Sequence, residues 1–304
     1  LTWAAAIGRS NDPPQPCAQP RPTPPLSARP QRMSVTQVET WIRDPYAIYA
    51  RRILGLQPLD AIDADPGAAD RGIVVHKVLE RFLKANLNTV PDDAEAQLLK
   101  IGADVFDEFV ASPAVRAFWW PRFTRIAKWF ATFERDRRAA GFQPVLVEQG
   151  GRIDLDGLSG PFTLTCQADR MDRDAEGRLS IIDYKTGQPP TTLQVESGLT
   201  PQLPLEGAIA KGGGFAGLKG NCKISNLLYI QLSGGRVAGV PKPIKLDGED
   251  ATQTAYEGLI KLIHTYGDEQ TPYLSRPRPM FESRFGDFDH LARVKEWSAG
   301  GGDE

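Results

Sequence analysis

"PFTLTCQADRMDRDAEGRLSIIDYKTG", residues 161–187, decides the fold. In its first part Phe162, Leu164, Cys166 and Ala168 fall on one side of an extended chain, and Thr163, Thr165, Gln167 and Asp169 on the other. The turn segment DAEGR, residues 174–178, separates this strand from a second, RLSIIDYKT, and the two read as an antiparallel hairpin. The second strand runs through Ile181 and Ile182, then sets a carboxylate, Asp183, and an ammonium, Lys185, where an apolar pattern would continue. Strand side chains alternate, so Asp183 and Lys185 share a face, and the hairpin carries Asp169 to the same end.

Two clustered carboxylates repel one another and call for a cation. A hard divalent ion such as Mg2+, or Mn2+, suits oxygen ligands; it would activate water and stabilise charge on a phosphate, with Lys185 acting on the same charge. The plain alternative is an edge ion pair with no function. Glu148, on the strand before the hairpin, is a minor candidate for the same ion. Arg170, Arg173 and Arg178 beside the hairpin are either phosphate contacts or solvated turn residues.

Working outward, the first half of the chain is helical. Ser34 and Gln37 fit a capping box ahead of Val38, Trp41 and Ile42. A second helix start follows at Asp44 and Pro45. After a loop near residues 58–70, Val75, Leu79, Phe82 and Leu83 take amphipathic spacing with His76 at the edge of the stripe. Residues 92–141 read as two longer helices. The second carries Trp119, Trp120, Trp129, Phe130 and Phe133 among Arg116, Arg122, Arg125 and Lys128, and Pro121 is expected to bend or interrupt it. These aromatics are core residues or a stacking face for single-stranded bases. Near residue 145 the period changes to two, with VLVEQ and GRIDLDG preceding the hairpin as separate strands. A helix around 200–210, the strand NLLYIQL with a return strand, and a late helix marked by Tyr256, Leu259, Ile260 and Ile263 complete the order. The expected fold class is α/β, a central mixed sheet flanked by helices.

With 36 basic and 38 acidic side chains the formal charge is −2, which excludes a nucleic-acid binder working by bulk charge alone. Cys17, Cys166 and Cys222 are far apart and odd in number, as expected in a reducing, cytoplasmic setting. No run has the length of a membrane span and no signal peptide is expected, so no membrane partner is either. Residues 1–33 hold eight of the 25 prolines and read as a linker from an upstream region, ahead of a domain over 34–304. The start at Leu1 is that expected of a piece of something longer.

Asp169, Asp183, Tyr184 and Lys185 resemble the Asp…(Asp/Glu)-x-Lys signature of the PD-(D/E)XK nuclease superfamily. Gly72 and His76 supply the G-x-x-x-H of its RecB-like branch, and Gln202 matches that branch's helical Gln motif, with Glu206 where tyrosine is usual. SVTQVETWIRDPYAIYARRIL and GDFDHLARVKEWS are similar to the nuclease domain of the AddB family, which pairs with AddA in bacterial AddAB helicase-nucleases. The resemblance implies a DNA exonuclease that processes double-strand-break ends for recombinational repair, hydrolysing the strand ending 5′, with an AddA-type helicase-nuclease subunit as partner. It also implies His76, Asp169, Asp183 and the Tyr184 carbonyl as metal ligands, Asp169, Asp183 and Lys185 as catalytic residues, and Gln202 as a substrate-binding or lysine-positioning residue. Taken alone, His76 reads equally as a histidine beside a core helix and Gln202 as a first-turn residue between Pro201 and Pro204. Many relatives carry a four-cysteine iron-sulfur cluster; Asp44 stands where its first cysteine would precede a proline, so no iron-sulfur cluster is expected. A decayed, DNA-binding scaffold and a free-standing RecB-like exonuclease are the alternatives.

Overall fold

A computed structural model describes residues 17–59, 67–110, 112–157, 160–277 and 286–298. Part of the proline-rich segment, and residues 60–66 of the loop expected near 58–70, lie outside the described residues. In chain order the main elements are β1 (Arg32–Ser34), α1 (Val35–Arg43), α2 (Ala68–Ala85), α3 (Ala94–Phe109), α4 (Pro113–Ala139), β2 (Gln143–Leu155), β3 (Phe162–Arg173), β4 (Leu179–Lys185), α5 (Gln202–Lys211), β5 (Ile224–Gln231), β6 (Val240–Pro243) and α6 (Gly248–Gly267).

The hairpin forms as the alternation predicts. Its turn is closed by Asp174, whose N–H donates to the Arg178 carbonyl at 2.9 Å and whose carboxylate accepts from the Arg178 N–H at 2.8 Å. Gly177 supplies the left-handed residue the turn needs, at φ 80°. The sheet runs β1-β3-β4-β5-β6, with β2 on the other edge of β3. Pairings β1/β3 and β4/β5 are parallel and the rest antiparallel, giving a mixed sheet. The parallel β4/β5 pair needs a crossover, which α5 provides.

Helices cover both faces. Ile182 and Tyr184 of β4 join Leu228 and Ile230 of β5 in one core with Val75, Leu79 and Phe82 of α2, Phe106 of α3 and Phe123 and Phe130 of α4. On the opposite face Ile181 meets α5 at Gly207, where a side chain would collide with Thr252 of α6. This is the layered α/β architecture the sequence predicts.

Two expectations are corrected. The stretches VLVEQ and GRIDLDG form one strand, β2, because Gly151 is there to admit the Phe215 ring, 2.5 Å from where its Cβ would stand, and not to make a turn. Pro121 does not interrupt α4, which continues through it while Trp119, Phe123, Ile126 and Phe130 pack into the core on either side. Burial of that stripe outweighs the one backbone hydrogen bond a proline removes.

By contact density the elements from α2 to α6 lie in one compact unit, Pro30–Glu39 with Leu59–Asp268. The other unit takes its described residues from the chain up to Arg29, from Thr40–Pro58 and from Glu269 onward. It has its own small core of Tyr46, Ala50, Phe288, Ala292 and Val294.

Candidate active site

The site arises where the sheet forks. Pairing of β3 with β4 ends at Arg170↔Ile182, whereas β4 stays paired with β5 as far as Lys185↔Gln231. Asp169 and Asp183, next in line, flank the opening. The Tyr184 N–H, which has lost its ladder partner, donates instead to Asp169 Oδ2 at 2.9 Å, so a carboxylate takes the place of a backbone carbonyl.

His76 closes one side. Gly72, one turn earlier on α2, lets the helix approach the end of β4: a Cβ there would sit 3.4 Å from Thr186 Oγ1. His76 Nε2 lies 2.8 Å from the Tyr184 carbonyl oxygen, and Nδ1 lies 3.5 Å from Asp169 Oδ2 and 3.6 Å from Glu148 Oε1. Glu148 stands across β2/β3 from Asp169 and holds a left-handed backbone, φ 45°, rare for a side-chain-bearing residue and commonest where geometry serves a site. Burial opposes the charged imidazole, but the Asp169 and Glu148 carboxylates outweigh it and raise the His76 pKa to about 10.

Asp183 faces the other way. Its carboxylate lies 3.0 and 2.9 Å from Lys185 Nζ and accepts from Gln202 Nε2 at 2.6 Å. Burial, then the Asp169 charge, lift the Asp183 pKa to about 6. Gln202 opens α5 and has one orientation available: its amide nitrogen serves Asp183 and Glu206 Oε1 (3.2 Å), and its oxygen accepts from Lys185 (3.2 Å). The Tyr229 ring, across from Asp183 on β5, lies 5.9 Å from the ammonium.

The residues singled out from the sequence, His76, Asp169, Asp183, Tyr184, Lys185 and Gln202, all meet at this fork. Arg170 does not face it as a phosphate contact; it is fully buried between Glu134 and Asp172. Arg178 pairs with Asp174 and Glu176 in the turn. Among the described residues, donor atoms of His76, Glu148 and Asp169 lie within 4.8 Å of one another, and the Tyr184 carbonyl adjoins them. Carboxylate, carbonyl and imidazole donors at such spacing fit a divalent cation. Asp183 is not in that trio, its carboxylate being turned to Lys185 and Gln202.

A family model described as the PD-(D/E)XK nuclease superfamily matches residues 32–274. The chain belongs to this superfamily. The matched span contains the whole fork, with Asp169, Asp183 and Lys185 together at the end of the hairpin. Among curated proteins, an uncharacterized protein of Rickettsia bellii is 29% identical over 274 residues, which is 86% of this chain and 32% of that protein. One of Rickettsia typhi is 34% identical over 67% of this chain and 24% of its own length. The B subunit of the ATP-dependent helicase/deoxyribonuclease of Streptococcus agalactiae is 24% identical over 57% of this chain and 16% of that protein. The chain thus spans about a third or less of these relatives. No helix among the described residues is long and apolar enough to cross a membrane.

Glu206 is the residue whose setting the sequence concealed. It is 1% exposed, and Oε2 has no hydrogen-bond partner among the described residues. Burial, then the charges of Asp183 and Asp169, raise its pKa well above the carboxylate range. The folded state therefore holds a proton on Glu206 that the unfolded state releases near pH ~4.3, so this residue costs stability increasingly as pH rises from there towards its folded pKa. Glu206→Gln removes that cost. Its melting temperature relative to wild type is expected to climb steadily between about pH 5 and 8.5 in thermal scans; a difference independent of pH would mean Glu206 is ionised in the fold.

Proposed function

We propose that the chain is the nuclease domain of an AddB-type subunit and hydrolyses phosphodiester bonds of DNA with Mg2+, or Mn2+, as its ion. The observation that carries the reading is one strand end with two chemistries on its two sides: an ammonium held 2.9 Å from Asp183, and the His76, Glu148 and Asp169 donors beside the Tyr184 carbonyl. His76, Asp169 and the Tyr184 carbonyl, with Glu148 or Asp183, would hold the ion, which when bound supplies Lewis-acid stabilisation of phosphate charge. Lys185 sets a second positive charge beside the reacting phosphate, and Asp183 and Gln202 hold it there. Gln202 in turn is held by Glu206, which stands in for the usual tyrosine by accepting from the amide.

The relatives named as helicase/deoxyribonuclease subunits support a DNA substrate and a helicase partner of the AddA type, with the strand ending 5′ as the one trimmed and broken ends as the physiological substrate. A formal charge of −2 accords with a strand delivered by such a partner. The test is cleavage of end-labelled DNA with Mg2+, with and without the AddA-type partner, comparing wild type with Asp183→Ala. Cleavage in the complex, abolished by the substitution and by EDTA, is the expected result. A wild-type complex that binds DNA and leaves it intact would sink the nuclease reading and leave a scaffold.

A further inference from the structure

Arginines of the sheet-bearing unit fall into two groups. Most are engaged by carboxylates: Arg81 by Glu108, Arg137 by Asp172, Arg152 by Asp154, Arg178 by Asp174. Arg71, Arg122, Arg125 and Arg236 have no carboxylate within ion-pair distance among the described residues, and they gather beside one feature, the Lys185 end of β4. Arg71 Nη2 lies 3.4 Å from the Thr186 carbonyl. The Leu232 N–H donates to the Lys185 carbonyl at 2.8 Å, and the turn that follows carries Arg236 and is closed by Gly234 N–H on the Ala238 carbonyl at 3.0 Å. That turn is clamped to α4: Arg125 Nε donates to the Gly234 carbonyl at 2.7 Å, and Gly234 lies so close to the Arg122 backbone that a Cβ would stand 2.6 Å from its carbonyl oxygen. Arg122 lies 5.0 Å from the ring centroid of Phe118, which is 64% exposed, unlike the buried aromatics of the same helix. Arg71, part-buried and facing the Arg122 charge, has its pKa lowered from the usual value, as expected of neighbouring guanidiniums with no anion between them.

Unpaired guanidiniums beside an exposed aromatic ring match a chain of phosphates with accessible bases. We propose that Arg71, Arg122, Arg125 and Arg236 with Phe118 form the track along which single-stranded DNA reaches the fork, the arginines taking phosphates and Phe118 stacking on a base. This rests on the nuclease reading for its substrate class. Duplex DNA offers phosphates but no free base faces, so the ring gives the patch its preference for single strands.

The test measures binding and cutting separately on the full chain. Anisotropy of a fluorescein-labelled oligo(dT) of about 20 nucleotides in EDTA reports binding, and cleavage in Mg2+ reports catalysis. Arg71→Ala/Arg122→Ala/Arg125→Ala is expected to reduce the slope of log K against log salt by about 2, at roughly 0.7 per lost phosphate contact. Phe118→Ala is expected to weaken oligo(dT) about ten-fold and a blunt duplex much less. Arg135→Ala/Arg173→Ala removes arginines without carboxylate partners elsewhere, Arg135 being about 20 Å along α4 from Arg122, and is expected to change the slope little. Wild type that fails to bind oligo(dT), that binds duplex as tightly, or that loses as much to the distal variant as to the triple variant would overturn the track. Loss of binding in the triple variant from a wild type that does not cut would uphold the track and sink the nuclease reading; cutting by wild type with unchanged binding in the triple variant would do the reverse.

Discussion

Lys185→Met is expected to slow metal-dependent DNA cleavage by about 10²- to 10³-fold, the loss typical of removing one preorganised charge from a site. The ammonium is held by both Asp183 oxygens and by Gln202, so it arrives at the reaction already oriented. The substitution also leaves Asp183, 2% exposed, with Gln202 as its remaining partner, which costs stability as well as rate. The two effects separate in the double variant Asp183→Asn/Lys185→Met. With both charges gone, much of the lost stability should return in a urea melt, because no carboxylate is left without its cation, while cleavage stays lost. A Lys185→Met enzyme cutting within about three-fold of wild type would remove Lys185 from the chemistry.

Much of this site was readable because strand geometry converts sequence spacing directly into position. Alternation put Asp183 and Lys185 on one face, and the DAEGR turn fixed the register that sets Asp169 beside them. Gly72 and His76, one helical turn apart, pointed to a helix that comes close. What stayed hidden depends on groups distant in sequence. Glu148 belongs to the cluster through its position across from Asp169, which follows from the β2/β3 register. Glu206 reads as an ordinary helical acid until α6 and the sheet bury it. Gly151 looks like a turn until Phe215, far along the chain, fills the space above it. The aromatic stretch of α4 was legible as core, yet the one ring left outside, Phe118, could not be told from its neighbours, since Pro121 within the helix obscured the phase of the buried stripe.

Behind the fork, on the face occupied by α4, the positions next to the two acidic residues are tied together: Arg170 follows Asp169, Tyr184 follows Asp183, and Arg170 Nη1 lies 3.3 Å from the Tyr184 hydroxyl. Arg170 is fully buried and donates to Glu134 at 2.6 and 3.1 Å and to Asp172 at 2.6 Å, both acids also fully buried. Arg170→Met is therefore expected to destabilise the chain heavily. Removing one partner from a buried charge cluster costs about 3–5 kcal/mol. Here the lower end applies, about 3 kcal/mol, because Glu134 keeps Arg138 at 2.8 Å and Asp172 keeps Arg137 at 2.5 Å. Urea denaturation of wild type and variant measures the difference, and a loss under about 1 kcal/mol would mean that the two remaining arginines carry the cluster by themselves. The same substitution separates support from chemistry. Because Arg170 touches the site only through the backbone it anchors, Arg170→Met assayed well below its melting temperature should keep most of its cleavage rate, whereas Lys185→Met, milder in its effect on folding, should keep almost none.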